Sequence, residues 1–296
     1  MTHNHTHSSK LGIGIFLNLL ITALEYGAGF LSGSLVLVSD ASHNLTDVVS
    51  LIVASVAEKV SKRKSNQQKT YGYARATILG ALLNTVLFFL LALYVFYEAY
   101  NRLRNPSIVS SNIIIVVGFV TAVFNGFMAF VFSHDKKDLN TRGVFLHQIY
   151  DTISSVGAVV AGILVYFTHN PIFDPLVSVM IGLMMLSGGW NLAKKTLHIL
   201  LEGVPEDINA EEVKQSLLNL PHVKKIHDLH IWSLSSHFVS LSCHIVIDDS
   251  KELSGFQICR SAKKLLEDKY RITHTTIEIE ITDCEGEVCE IESHHK

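Results

Sequence analysis

SLVLVSDASHNLTDVVSLIVASV, residues 34–56, is the stretch whose reading decides the fold. Its apolar side chains run on for long enough to cross a bilayer core, which takes about 20 residues in helical form. Yet it carries Asp40, His43 and Asp47 in its middle. An Asp at the centre of a membrane helix costs about 2.5–3.5 kcal/mol, so such residues persist where they face a cavity and perform a function. The spacing His43-x-x-x-Asp47 sets an imidazole and a carboxylate one helical turn apart on one face.

Five more apolar runs accompany it. The six spans are expected at about Leu11–Leu31, Leu35–Val60, Ile78–Tyr100, Ile113–Phe132, Val144–Phe167 and Phe173–Leu192. Charged residues make up only 17% of the 296, against about 25% in soluble domains, which agrees with lipid as the solvent. The net charge of -3 argues against a nucleic-acid surface. The first span is too long for a signal peptide, and it holds Asn18 and Glu25. Basic residues orient the spans: Lys62, Arg63, Lys64 and Lys69 follow span two, Lys136, Lys137 and Arg142 follow span four, and Lys194 and Lys195 follow span six. The loops after spans one and five have none, which places both termini in the cytoplasm; Arg102 and Arg104 after span three dissent.

Span five repeats the spacing of span two as His147-Gln-Ile-Tyr-Asp151. If the two spans pack together, two imidazoles and two carboxylates converge, a donor set that suits tetrahedral Zn²⁺ and disfavours Mg²⁺ and Ca²⁺. No Arg or Lys lies mid-span to serve instead as an ion-pair partner. Zinc takes neutral imidazole and ionised carboxylate, so binding it displaces protons, and His titrates near neutrality. The same four groups accept Cd²⁺ and Co²⁺. An intramembrane zinc protease would need a His-Glu-x-x-His helix, and none occurs. A membrane-anchored metal sensor would need an output domain, and none is evident.

Beyond Gly203 the pattern turns to that of a water-soluble domain. A helix is expected over Ala210–Leu220, strands over Val223–Leu234 and Phe238–Ile247, a helix over Glu252–Tyr270 and a strand over Thr273–Ile281. This α-β-β-α-β order describes a small two-layer α+β domain whose modest core invites a partner subunit. Trp232 is expected to fill that core. The chain thus divides into a His-bearing tail (1–10), a transport domain (11–202), a cytosolic metal-binding domain (203–283) and a tail with Cys284, Cys289, His294 and His295 (284–296). The two tail thiols form a candidate metal site, and His3, His5 and His7 are further candidates at the other end. All four cysteines, Cys243 and Cys259 included, are expected reduced in the cytosol and free to bind metal.

The chain resembles the zinc-transporting branch of the cation diffusion facilitator family. The resemblance rests on residues 34–47, YGYARA at 71–76, His147 to Asp151, LEGVP at 201–205 and HDLHIW at 227–232. It implies a homodimer, exchange of metal for protons through a site between spans two and five, no enzymatic activity, and a ferredoxin-like cytosolic domain. It further implies that His230, His244 and His274 hold a regulatory zinc ion. Tyr73, Ala74 and Thr77 stand where some relatives carry loop ligands, so no metal site is expected in that loop.

Overall fold

The computed structural model describes residues 4–132, 139–235, 238–248 and 255–281, with side chains described for 18–131, 145, 147–235, 238–248 and 255–281. Six long helices are followed by a smaller helix–strand segment: α1 (Asn4–Ser32), α2 (Leu35–Ser61), α3 (Ala76–Arg104), α4 (Ser111–Phe132), α5 (Leu139–Thr168), α6 (Phe173–Leu200), α7 (Ala210–Leu218), β1 (Val223–Ser235), β2 (Phe238–Ile247), α8 (Gly255–Tyr270) and β3 (His274–Glu280). Two compact units result, residues 1–55 with 83–192 and residues 56–82 with 193–296.

In the first unit the usual distribution of side chains is inverted. Glu25, Asp40, Asn44, Asn125 and Asp151 are buried, while Phe30, Leu90, Phe119, Phe130 and Leu183 are exposed. An apolar exterior around a polar interior is stable only in hydrocarbon, where large apolar surfaces need no cover. Among the described residues, α2 to α6 each contain a segment long and apolar enough to span. α6 runs 28 residues, about 42 Å at 1.5 Å per residue, and so outlasts the hydrocarbon. The expected end at Leu192 falls short because only hydropathy changes at Lys194, not helix-forming propensity.

Glycine lets the helices approach. A Cβ on Gly162 would stand 2.8 Å from Ile115 Cγ1 and 3.1 Å from the Ile115 amide, and one on Gly118 would stand 3.1 Å from Val159 Cγ2; both seat α4 against α5. Gly29 and Gly182 do the same against Val38 and Phe96, whereas Gly27 meets nothing within 4 Å. At one end of the unit, Asp174 on α6 caps α2. Its carboxylate accepts from Ser34 Oγ (2.5 Å) and from the Leu35 and Val36 amides (2.7 and 3.3 Å). Those amides are the donors a helix N-terminus leaves unpaired. Arg102 stands 3.7 Å from the same carboxylate and 2.9 Å from Glu98, and donates to the Gly33 carbonyl. Of the two dissenting arginines, Arg102 is thus paired in place.

The second unit contains a three-stranded sheet in the order β1-β2-β3, with β1 antiparallel and β2 parallel to their respective next strands. α8 makes the crossover that a parallel pair requires. Asn209 caps α7 by accepting from the Glu211 and Glu212 amides at 3.0 and 3.2 Å. α7 and α8 cover one face through Val213, Leu217, Ile258, Ala262 and Leu266, packed on Ile226, Ile231, Leu241, Cys243 and Ile245. Trp232 lies outside this core, half-buried.

Replacing Gly162 by Val should cost about 1–3 kcal/mol by overpacking the α4–α5 contact, read as a lower melting temperature in detergent. Gly126→Ala, whose new Cβ meets its nearest neighbour at 3.8 Å, should leave it unchanged.

Candidate metal centre

Helical spacing sets His43 above Asp47 on α2 and His147 above Asp151 on α5, and the bundle turns both pairs toward each other. His43 Nε2 lies 3.7 Å from Asp47 Oδ2 and 3.6 Å from Asp151 Oδ1. His147 Nε2 lies 3.4 Å from Asp47 Oδ2 and 3.5 Å from Asp151 Oδ2. A tetrahedral zinc ion with bonds of about 2.0–2.1 Å separates its ligands by about 3.3–3.4 Å. His43, Asp47 and Asp151 present ligand atoms within 4.8 Å of one another, a spacing that suits a metal ion, and His147 borders this trio through Asp47 and the second oxygen of Asp151.

The unpaired atoms point the same way. Asp47 Oδ2 and Asp151 Oδ1 are sealed from water without a hydrogen-bond donor, which is costly unless a cation occupies the space between. His43 Nδ1 is likewise without a hydrogen-bond partner. Asp151 Oδ2 receives one outer contact, from Gln148 Nε2 at 3.3 Å. Exposure is graded, with side-chain values of 2% for Asp151, 18% for His43 and Asp47, and 40% for His147. The cluster is reached through a cavity of about 440 Å³ lined by Phe88, His147, Tyr150, Ser154, Met184 and Gly188.

On the sheet of the second unit the imidazoles group differently from the sequence expectation. His244 Nδ1 lies 2.7 Å from Glu280 Oε1, and His227 Nε2 lies 3.0 Å from Glu280 Oε2, with the two rings 5.0 Å apart. Register explains the change. His227 pairs with His244, but an irregularity follows and His230 falls opposite Ser242. Asp228, at φ 49°, makes that irregularity. His230 turns to Asp228 at 2.8 Å, in a cavity of about 870 Å³ that Tyr71, Arg75, Glu202 and Trp232 also line. His274 pairs with Ser240, four residues or about 13 Å along from Glu278, the neighbour of His244. Its ring rests against Tyr71 and Phe238. The structure thus brings His244 together with His227 and Glu280, and does not bring it together with His274. Glu280 could have been suspected from the alternation of β3, where Glu278 and Glu280 share a face.

Cys243 belongs to the core; burial first, then the neighbouring Cys259 and Asp228, push its thiol up to about 12. It is not a ready ligand. Cys284, Cys289, His294 and His295 lie outside the described residues, as do the side chains of His3, His5 and His7. Near neutral pH, maleimide should modify Cys259 and leave Cys243 untouched until the domain is unfolded, as read by peptide mass mapping.

Known proteins match the whole chain. Residues 11–201 match the cation efflux transmembrane domain, and residues 205–282 match the cytoplasmic domain of cation efflux proteins. The chain is 38% identical over 287 residues to the cadmium, cobalt and zinc/H(+)-K(+) antiporter of Bacillus subtilis, covering 95% of this chain and 92% of that protein. It is 38% identical to the metal cation efflux system protein CzcD of Cupriavidus metallidurans (96% and 90%), and 32% identical to the zinc transporter ZitB of Pectobacterium atrosepticum (100% and 94%). A solved metal-bound C-terminal domain of CzcD aligns with 25% of this chain and all of its own length, at 39% identity and a TM-score of 0.24. The chain belongs to the cation efflux family of integral membrane metal transporters, which are not enzymes.

Proposed function

We propose that the protein exports a divalent transition metal, zinc foremost, from the cytoplasm in exchange for protons, using His43, Asp47, His147 and Asp151 as the transport site. The observation that carries this reading is the convergence of both imidazoles on both carboxylates at 3.4–3.7 Å, where one oxygen of each carboxylate is sealed from water without a hydrogen-bond donor. The named activities of the Bacillus and Pectobacterium relatives agree with it. Cd²⁺ and Co²⁺ fit the same donors and are the alternative cargoes.

In this reading the membrane domain has six spans, α1 included, and both termini are cytoplasmic. The cavity at the site is bordered by the early part of α5 and the late part of α6, and so opens toward the cytoplasm. The Asp174 clasp closes the opposite side. Zinc enters from the cavity as imidazoles and carboxylates give up their protons. When the bundle reopens on the far side, protons returning to those groups weaken every zinc bond at once. Affinity therefore falls as pH falls, the direction that export into a more acidic compartment requires. Alternating access of this kind needs neither nucleotide nor covalent intermediate.

The cytosolic domain has a ferredoxin-like fold and pairs with that of a second copy, giving a homodimer. His227, His244 and Glu280 fit a divalent metal there, because Glu280 presents one oxygen to each imidazole. His230, on the neighbouring stretch of β1, is close enough to this cluster through Asp228 to act as an outer partner. A regulatory zinc ion held there would tie β1, β2 and β3 together.

In proteoliposomes with an acidic lumen, zinc should move against the proton flow. Asp47→Asn with Asp151→Asn should abolish that flux and weaken zinc binding by about 100-fold or more, since loss of outer partners alone typically costs 10–100-fold. Undiminished transport by the double variant would remove these residues from the transport site.

A further inference from the structure

Glu25 on α1 is fully buried and stands apart from the four-residue cluster. Its Oε2 accepts from Asn44 Nδ2 at 3.0 Å, while its Oε1 is sealed from water with no hydrogen-bond partner. Besides Asn44, the Thr121 hydroxyl and the carboxyl of Asp40 border this carboxyl. In this structure the Thr121 hydroxyl donates to the Val117 carbonyl at 3.0 Å, and Glu25 Oε1 is left without a partner. An oxygen enclosed in this way lacks a donor of its own, and a proton on Glu25 would supply one.

Asp40 is served differently. Buried as well, it receives Ser154 Oγ at 2.6 Å on one oxygen and Ser155 Oγ at 3.0 Å on the other. Two carboxyls facing each other away from water do not both stay bare; one proton is shared by the pair. Both Asp40 oxygens have hydroxyl donors whereas Glu25 Oε1 has none, so the proton belongs on Glu25. The charged groups around Glu25 are accounted for among the described residues: Asp40 faces it from α2, His43 and Asp151 lie beyond Asp40, and α4 contributes only Thr121. Ser154 also lines the cavity at the metal cluster, which links the pair to that cavity.

We infer that Glu25 is a proton-carrying station of the transporter, separate from the metal ligands and joined to their cavity through Asp40 and Ser154. The inference rests on the proton coupling proposed above and locates one of its protons. On unloading, the Glu25 O–H bond breaks and its proton passes to Asp40. Ser154 turns its hydroxyl hydrogen from Asp40 to the cavity, accepts the proton from Asp40 and releases its own to water there, which leaves its new hydrogen donating to Asp40 as before. One proton moves and each group regains its starting state once Glu25 is reloaded.

The test compares the full-length native protein with Glu25→Gln, which keeps the size of the side chain and a hydrogen bond to Asn44 but cannot exchange a proton. Zinc and proton fluxes are recorded together in proteoliposomes carrying entrapped indicators, and zinc binding is measured by calorimetry in detergent. Glu25→Gln is expected to bind zinc as the native protein does, and to move one proton fewer per zinc ion. Glu25→Asp should restore the ratio. A native ratio in Glu25→Gln would overturn the inference, because a merely structural Glu25 would leave the stoichiometry alone. Infrared difference spectra on a pH change give a readout independent of transport. A carboxylic-acid C=O band present in the native protein and missing from Glu25→Gln supports the station even if zinc flux proves uncoupled from protons. An unchanged band counts against it.

Discussion

The cost of a carboxylate in hydrocarbon is the constraint on which the rest of the membrane domain depends. Asp47 and Asp151 are tolerable in mid-bundle only if something positive stands between them, and two imidazoles on the same two helices leave a gap of the right size for it. That requirement brings α2 and α5 together by their polar faces. The close contacts at Gly118 and Gly162 then seat α4 on α5, and the remaining helices cover the polar interior with apolar surface that lipid can solvate. The buried polar residues are arranged in tiers: the four-residue cluster by the cavity, the Asp40–Ser154–Ser155 group behind it, and Glu25 with Asn44 farther in.

The opposite end of the bundle meets the same cost by a different route. Among the described residues no imidazole pairs with Asp174; the amides at the start of α2, the Ser34 hydroxyl and Arg102 share its charge. A helix N-terminus and a guanidinium are fixed partners with no gap for an ion between them. In the proposed reading one carboxylate site is filled and emptied, and the other stays closed.

Much of this was legible in the sequence because membrane helices carry a long-range signal in local composition. Apolar runs located all six long helices, and the i, i+4 pairs His43/Asp47 and His147/Asp151 put the four side chains on two faces before any tertiary contact was known. Whether those faces meet, and at what separation, depends on packing between residues about a hundred positions apart. The capping of α2 by Asp174 was illegible for the same reason. In the cytosolic sheet the difficulty was register. Alternation marked the strands, but the positive φ at Asp228 inserts an irregularity between His227 and His230 that alternation does not reveal. It moves His230 off the row shared by His227 and His244, while the parallel β2–β3 register sets Glu280 opposite Val246 beside His244 and leaves His274 opposite Ser240.

The central claim is that one metal ion sits among His43, Asp47, His147 and Asp151. Anomalous diffraction at the zinc edge from zinc-loaded crystals of the full chain tests it most directly. The account predicts a peak between α2 and α5, within about 2.0–2.2 Å of one atom from each of the four side chains. Zinc peaks confined to the cytosolic domain, under conditions that saturate the protein, would contradict it.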